Sequence, residues 1–288
     1  MAARPRTLPA AVAPVLVGTA AAVAAAGELP RLGAFLAALA GSVLIQIGTN
    51  LANDYSDARR GADTADRLGP VRVTSSGLVA PRRVLAATWV AFAAAVACGI
   101  YLTAVAGPLI LLVGVVSIAA GVLYTGGPRP YGYAGLGEVF VFLFFGLVAV
   151  NGSYYVQLER LDALPAGLSV GIGLLATAIL VVNNVRDLET DRRAGKRTLA
   201  VRIGRARAVG LYRLLLAGAF ASLPVSLLVA GTGAPALLGL AAAPLALRPA
   251  RAMGARTDGP ALNAALAQTG ALLGAYSLLV TVGLLLSA

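Results

Sequence analysis

The chain has 288 residues, 59% apolar and only 12% charged, with a net charge of +11 and a mean hydropathy of +0.84. A soluble domain carries about 25% charged residues, so this chain lacks the polar groups to coat a water-facing globule, and disordered, collagenous and disulfide-scaffold chains are excluded on the same numbers. With no histidine and a single cysteine, Cys98, it cannot build a His/Cys zinc site, a Ser-His-Asp triad or an intrachain disulfide.

Apolar windows near the 20 residues needed to cross a bilayer recur along the chain. They predict about nine transmembrane helices, at 8–27, 32–53, 83–103, 107–124, 136–156, 167–187, 208–230, 234–248 and 262–286. The eighth is short and is interrupted by Pro244. Arg4 and Arg6 ahead of the first span, with small residues at Ala24 to Gly27, imitate a signal peptide; eight further spans favour a first membrane helix instead. The fold class is therefore all-α integral membrane, one domain over 1–288.

Of the 23 basic residues, 21 fall before span one or in the loops after even-numbered spans, leaving Arg31 and Arg160 opposite. By the positive-inside rule this multi-pass chain is expected to have its N-terminus and the loops after even-numbered spans in the cytoplasm and, with an odd number of spans, its C-terminus outside. The positive charge is thus an orientation signal, and nucleic acid is not a partner.

Nine of the 12 acidic residues share the basic side, most of them in two knots. Span two ends in Gln46-Ile-Gly-Thr-Asn50-Leu-Ala-Asn53-Asp54-Tyr-Ser-Asp57, opening a loop region over 50–82. Span six ends in Val182-Asn183-Asn184-Val-Arg186-Asp187-Leu-Glu189-Thr-Asp191, opening another over 183–207. Helical spacing places Gln46, Asn50, Asp54 or Asn53, and Asp57 on one face, and Asn183, Asp187 and Asp191 on another. Such stripes are costly against lipid and should face the bundle interior. Asn50-x3-Asp54 matches Asn183-x3-Asp187, and Asp57-x3-Gly61 matches Asp191-x3-Gly195, which predicts two parallel four-helix repeats plus a ninth helix around a lipid-open central cavity.

Both knots follow helix C-termini, where the macrodipole disfavours carboxylates, so cations should neutralise them. Oxygen-only donors select a hard ion, and Mg²⁺ is suited because it keeps waters and bridges to phosphate oxygens.

At these residues the sequence resembles the UbiA-type intramembrane aromatic prenyltransferases, a nine-helix family with one Asp-rich motif after helix two and one after helix six. Arg4-Pro-Arg-Thr-Leu-Pro9, the run Gly61 to Gly77, Tyr124-Thr-Gly-Gly-Pro128 and Gly195-Lys196-Arg197-Thr198-Leu199 look like the family's menaquinone-pathway branch. The matches span residues 4–204; the last third carries only the hydrophobic pattern.

The resemblance implies Mg²⁺-dependent transfer of a polyprenyl group from polyprenyl diphosphate to 1,4-dihydroxy-2-naphthoate, with loss of diphosphate and CO₂. Asp54, Asp57, Asp187 and Asp191 would hold two Mg²⁺, with Asn50 and Asn183 as neutral ligands. Asp63 is a further candidate, because Gly61 stands where many members have another Asp. Asn53 joins the polar wall on the substrate side. Lys196, the only lysine, with Arg197, Arg72 and Arg129, would grip the diphosphate or the naphthoate carboxylate. Tyr124, Tyr131 and Tyr133 could offer ring faces to a developing carbocation. Partners are then the prenyl diphosphate, the aromatic acceptor and membrane lipid.

Three other readings compete. A family member using another acceptor, such as 4-hydroxybenzoate, would keep both motifs. A CDP-alcohol phosphotransferase would need Gly directly after its second Asp, where Ala58 stands. An ion-coupled transporter would place its acids near the bilayer midplane rather than at the helix ends.

Overall fold

The computed structural model describes residues 4, 7–62, 68–232 and 234–288, and among them every regular element is helical. The helices are α1 (Pro9–Ala26), α2 (Leu32–Arg59), α3 (Pro81–Ala106), α4 (Leu109–Leu123), α5 (Gly137–Leu158), α6 (Ala163–Arg186), α7 (Arg205–Ala230), α8 (Leu247–Ala255) and α9 (Gly259–Leu285). Seven of these, all but α4 and α8, are long and apolar enough to cross a membrane. Leu228 is 83% exposed and Val229 70%, which only a lipid surround tolerates over a whole apolar belt. The protein is a multi-pass membrane protein.

The expected eighth span takes a different form. Ala234–Ala246 is a run of 3-10 turns containing Pro244, followed by α8. At 2.0 Å rise per residue, 13 such residues reach about 26 Å, so a stretch too short as an α-helix approaches the thickness of the hydrocarbon layer. It is held by close packing on α9, where a Cβ at Gly283 would meet the Pro235 carbonyl oxygen.

α6 is the most enclosed of the spanning helices and the centre of the bundle, packing on α7, α5, α9 and α1. α2 packs most extensively on α3, as α6 does on α7, in keeping with a repeat in which α2 and α6 correspond. The α5–α6 contact is backbone-close: a Cβ on Gly146 would lie 2.7 Å from the Gly173 Cα. Here α5 widens into π-helical turns over Phe142–Val148, which turn Phe144, Phe145 and Val148 toward a central cavity.

The two basic residues on the sparsely charged side are neutralised. Arg31 pairs with Glu159 and exchanges hydrogen bonds with Gln157 through its own backbone, and Arg160 pairs with Asp162.

Candidate active site

α2 continues in helix to Arg59, beyond the span expected at 32–53, so the whole first acidic knot sits on its last turns. Gln46, Asn50, Asn53 and Asp57 line the cavity, a spacing of four, three and four residues that keeps one face. Of the two alternatives for this face, Asn53 occupies it. Asp54 is turned about 100° round the helix and its oxygens accept the backbone N–H groups of Val73 (3.2 Å) and Thr74 (2.9 Å). It anchors the following loop and is not on the cavity wall. Gln46 and Asn50 both donate to the Thr7 hydroxyl, and Asn53 accepts from that of Thr125 at 2.8 Å.

Asp57 is the hub of the mouth. Its Oδ1 accepts from the Tyr133 hydroxyl at 3.0 Å, and its Oδ2 faces Arg72 at 3.3 Å and Lys196 at 3.6 Å. The Lys196 ammonium and the Arg60 guanidinium also lie over the Tyr133 ring, 5.2 and 5.5 Å from its centre. Burial and the Asp57 charge push the Tyr133 phenol well up from its ordinary value, so it stays a proton donor at neutral pH.

The second knot straddles a helix break. α6 ends at Arg186, and Asp187 both caps it and opens the short helix Leu188–Arg193. This modifies the expectation of carboxylates stranded at a C-terminus: Glu189 and Asp191 lie in the first turn of that short helix. Asn183, Asp187 and Asp191 all line the cavity. Arg186, with only 2% of its side chain exposed, grips both Asp187 oxygens at 2.8 and 2.6 Å and donates to Asn183 and Asn263, each at 2.9 Å.

The cavity, of about 320 Å³, runs from Asp57, Asp187, Asp191 and Lys196 to Leu102, Ile110 and Val156 at its far end. Between Asp57 and Ala38, both on its wall, α2 rises about 28 Å. Tyr124, Tyr131 and Phe140 form an aromatic wall beside the polar mouth, Tyr131 lying edge-on to Tyr124 (centroids 5.4 Å apart) and stacked on Phe140 (3.9 Å). Gly132 permits this wall, because a Cβ there would come within 2.6 Å of the Tyr124 carbonyl oxygen.

Thus Asn50, Asn53, Asp57, Arg72, Tyr124, Tyr131, Asn183, Asp187, Asp191 and Lys196 converge on one cavity. Arg129 and Arg197 do not: both are exposed and off its wall, Arg197 using its carbonyl to hold Arg202. Asp63 lies outside the described residues. Unforeseen were the links of Thr7 and Thr125 to the first knot, the Arg186 clamp, and a buried hydrogen bond from Asn184 to Glu138 at 2.9 Å. The sequence displays Arg186 and Asn184 inside the second knot, but nothing in spacing distinguishes a clamp from a ligand.

The chain matches the model of the UbiA prenyltransferase family over residues 11–273. It is 47% identical over 268 residues to the 1,4-dihydroxy-2-naphthoate octaprenyltransferase of Mycobacterium tuberculosis, covering 93% of this chain and 90% of that one. It is 40% identical to the Escherichia coli protein of the same name, over 99% and 94%. Its fold superposes on a UbiA homolog from Archaeoglobus fulgidus bound to GPP and Mg²⁺, at a TM-score of 0.67, 17% identity and coverage of 97% and 98%. This chain belongs to the UbiA prenyltransferase family.

Proposed function

We propose that the protein transfers a polyprenyl group from polyprenyl diphosphate to 1,4-dihydroxy-2-naphthoate, releasing diphosphate and CO₂ and giving demethylmenaquinol. The observation that carries this reading is the joining of one long apolar cavity to one mouth lined by both acidic motifs and by Lys196 and Arg72. A substrate with a long hydrocarbon tail and a polyanionic head matches both ends at once. The identity to relatives bearing that activity in their names supports the acceptor.

The mouth fits Mg²⁺ in donor chemistry. Its carboxylates and amides are all hard oxygen donors, suited to an ion that takes one or two carboxylates and leaves room for phosphate oxygens and water. Among the described residues no three acidic side chains lie together as a ready-made cage. Asp57, Asp187 and Asp191 would hold the metal, with Asn50 and Asn183 as neutral donors, and two ions would balance the charge of the diphosphate. Bound there, Mg²⁺ supplies the positive charge that stabilises the departing diphosphate.

The residues of the chain do the rest. Lys196 and Arg72 give the diphosphate fixed positive charge as the allylic C–O bond breaks and its electron pair leaves with oxygen. Tyr124 and Tyr131 present ring faces to the allylic cation and exclude water from it. The electron-rich ring carbon bearing the carboxylate forms the new C–C bond. Loss of that carboxylate as CO₂ returns its bonding pair to the ring and restores aromaticity. No proton acceptor is needed at that carbon, which suits a chain without histidine. Because the basic side holds the mouth, both it and the N-terminus face the cytoplasm in this reading, with the C-terminus opposite.

The reading is tested with purified protein, Mg²⁺ and geranylgeranyl diphosphate against a panel of acceptors. Turnover with 1,4-dihydroxy-2-naphthoate is the expected result. Turnover only with 4-hydroxybenzoate would keep the chemistry and discard this acceptor.

A further inference from the structure

Asn263 lies on α9, in the third of the chain where the sequence offers only an apolar pattern. Both ends of its amide are engaged: Oδ1 accepts from Arg186 at 2.9 Å, and Nδ2 donates to the Leu68 carbonyl at 2.8 Å. The Arg186 side of this link leads to both oxygens of Asp187 and to Asn183. The Leu68 side leads into the loop that supplies Arg72 to Asp57 and the Val73 and Thr74 amides to Asp54. Leu68 is seated against the start of α9, where a Cβ on Gly259 would come within 3.2 Å of the Leu68 Cβ. One amide of α9 therefore ties the second acidic motif to the loop of the first. A guanidinium is a rigid fork of donors, so fixing one of its nitrogens orients those that hold Asp187.

We propose that Asn263 is a positioning residue of the diphosphate site. It sets the orientation of Arg186, and through it the Asp187 carboxylate, while pinning the Leu68 end of the loop that carries Arg72. The kinetic side of this proposal rests on the prenyl-transfer reading above; its structural side does not.

Two variants and two measurements separate the links. Asn263→Leu, close in size, removes both. Asn263→Asp keeps an acceptor for Arg186 and removes the donor to Leu68. Steady-state kinetics with geranylgeranyl diphosphate should show the donor KM of Asn263→Leu raised about tenfold, as expected for losing a hydrogen bond to a charged group. Its kcat and acceptor KM should stay within about twofold of wild type. The donor KM of Asn263→Asp should rise less than that of Asn263→Leu, since Arg186 keeps its acceptor while the loop that carries Arg72 is released. Amide hydrogen exchange, measured without substrate, should accelerate at Val73, Thr74, Ser76, Gly77 and Val79 in both variants, and not in the cores of α6 and α7. A wild-type donor KM with wild-type exchange in Asn263→Leu would overturn the proposal. So would donor and acceptor KM rising together with exchange accelerated throughout the bundle, the mark of a merely structural residue. Wild-type protein inactive with every donor would strike the proposed function, and the exchange result would still decide the link.

Discussion

The Lys196 ammonium lies 3.6 Å from Oδ2 of Asp57, so a residue from the loop after the second acidic motif closes against the last turn of the first. Both side chains are nearly buried, and Arg72 approaches the same oxygen. Buried charges of this kind persist only with partners, and removing one partner leaves the other exposed to the full cost of desolvation.

Lys196→Ala should therefore raise the donor KM by at least about tenfold, the price of one charge-assisted contact. Lys196→Arg should restore only part of it, since a planar fork does not replace a compact ammonium over the Tyr133 ring. Steady-state kinetics in detergent checks both, and an unchanged KM in Lys196→Ala would remove this residue from the diphosphate site.

Asp54 and Asp57 should separate. Asp57 faces the cavity, so Asp57→Asn should lower kcat by at least about 100-fold if it serves as a metal ligand. It should also cost stability, because Lys196 and Arg72 lose their buried counter-charge. Asp54 holds two loop amides, so Asp54→Ala should cost about 1–3 kcal/mol of stability by stranding them. Denaturant unfolding in detergent compared with activity tells the two apart. A fall in kcat of folded Asp54→Ala as large as that of Asp57→Asn would contradict the division of labour.

Much of this was legible in the sequence because it rests on period and charge. The polar face Gln46-Asn50-Asp57 and the face Asn183-Asp187-Asp191 follow from helical spacing within apolar runs, and both line the cavity. Period alone could not choose between Asn53 and Asp54, since adjacent residues both fall near the stripe, and the partner that decides it is the Val73–Thr74 backbone of a loop. Nor could it sort the arginines. Arg72 is buried at the site and Arg129 and Arg197 are exposed, yet all three carry the same charge on the same side. The eighth span is expected at 234–248, but its 3-10 form over Ala234–Ala246 escapes the sequence. Hydropathy does not separate a 3-10 run from an α-helix, and the longer rise per residue shows only in the backbone. Asn263 was invisible because its two partners come from residues distant in the chain.

Metal removal should stop the reaction reversibly. A chelator should take turnover below detection, and excess Mg²⁺ should restore it, because the oxygen donors at the mouth leave the diphosphate charge unbalanced without a hard cation. Activity persisting without divalent ions would mean that Lys196, Arg72 and Arg186 suffice.

Tail length should respond to the cavity wall. A Cβ at Gly114 would meet nothing within 4 Å, although the residue lines the cavity about a heptad along α4 from Gly121, which abuts Thr49. Gly114→Leu should fill the tunnel part-way, cutting kcat/KM for long polyprenyl diphosphates by about tenfold or more while sparing farnesyl diphosphate. Equal loss with short and long donors would show that the tail does not pass this position.

Alkaline pH should act through Tyr133. Its phenol pKa is raised in the folded protein by burial and by Asp57, so the folded state holds this proton more tightly than the unfolded chain. That contribution to stability is fully present below the unfolded value near pH 10 and falls as pH rises above it. Tyr133→Phe should flatten the decline of stability above about pH 10, the ordinary tyrosine value, and lower stability at neutral pH through the hydrogen bond lost to Asp57. A fall at the same pH with the same slope in the variant would assign the effect elsewhere.

The most direct test of the central claim uses purified protein, Mg²⁺, geranylgeranyl diphosphate and 1,4-dihydroxy-2-naphthoate labelled in its carboxyl carbon. Prenylated product and labelled CO₂ should appear in equal amounts, and both should vanish in Asp57→Asn. Prenylated product that retains the label would contradict bond formation at the carboxyl-bearing carbon. No product from folded wild-type protein with any aromatic acceptor would contradict the reading as a whole.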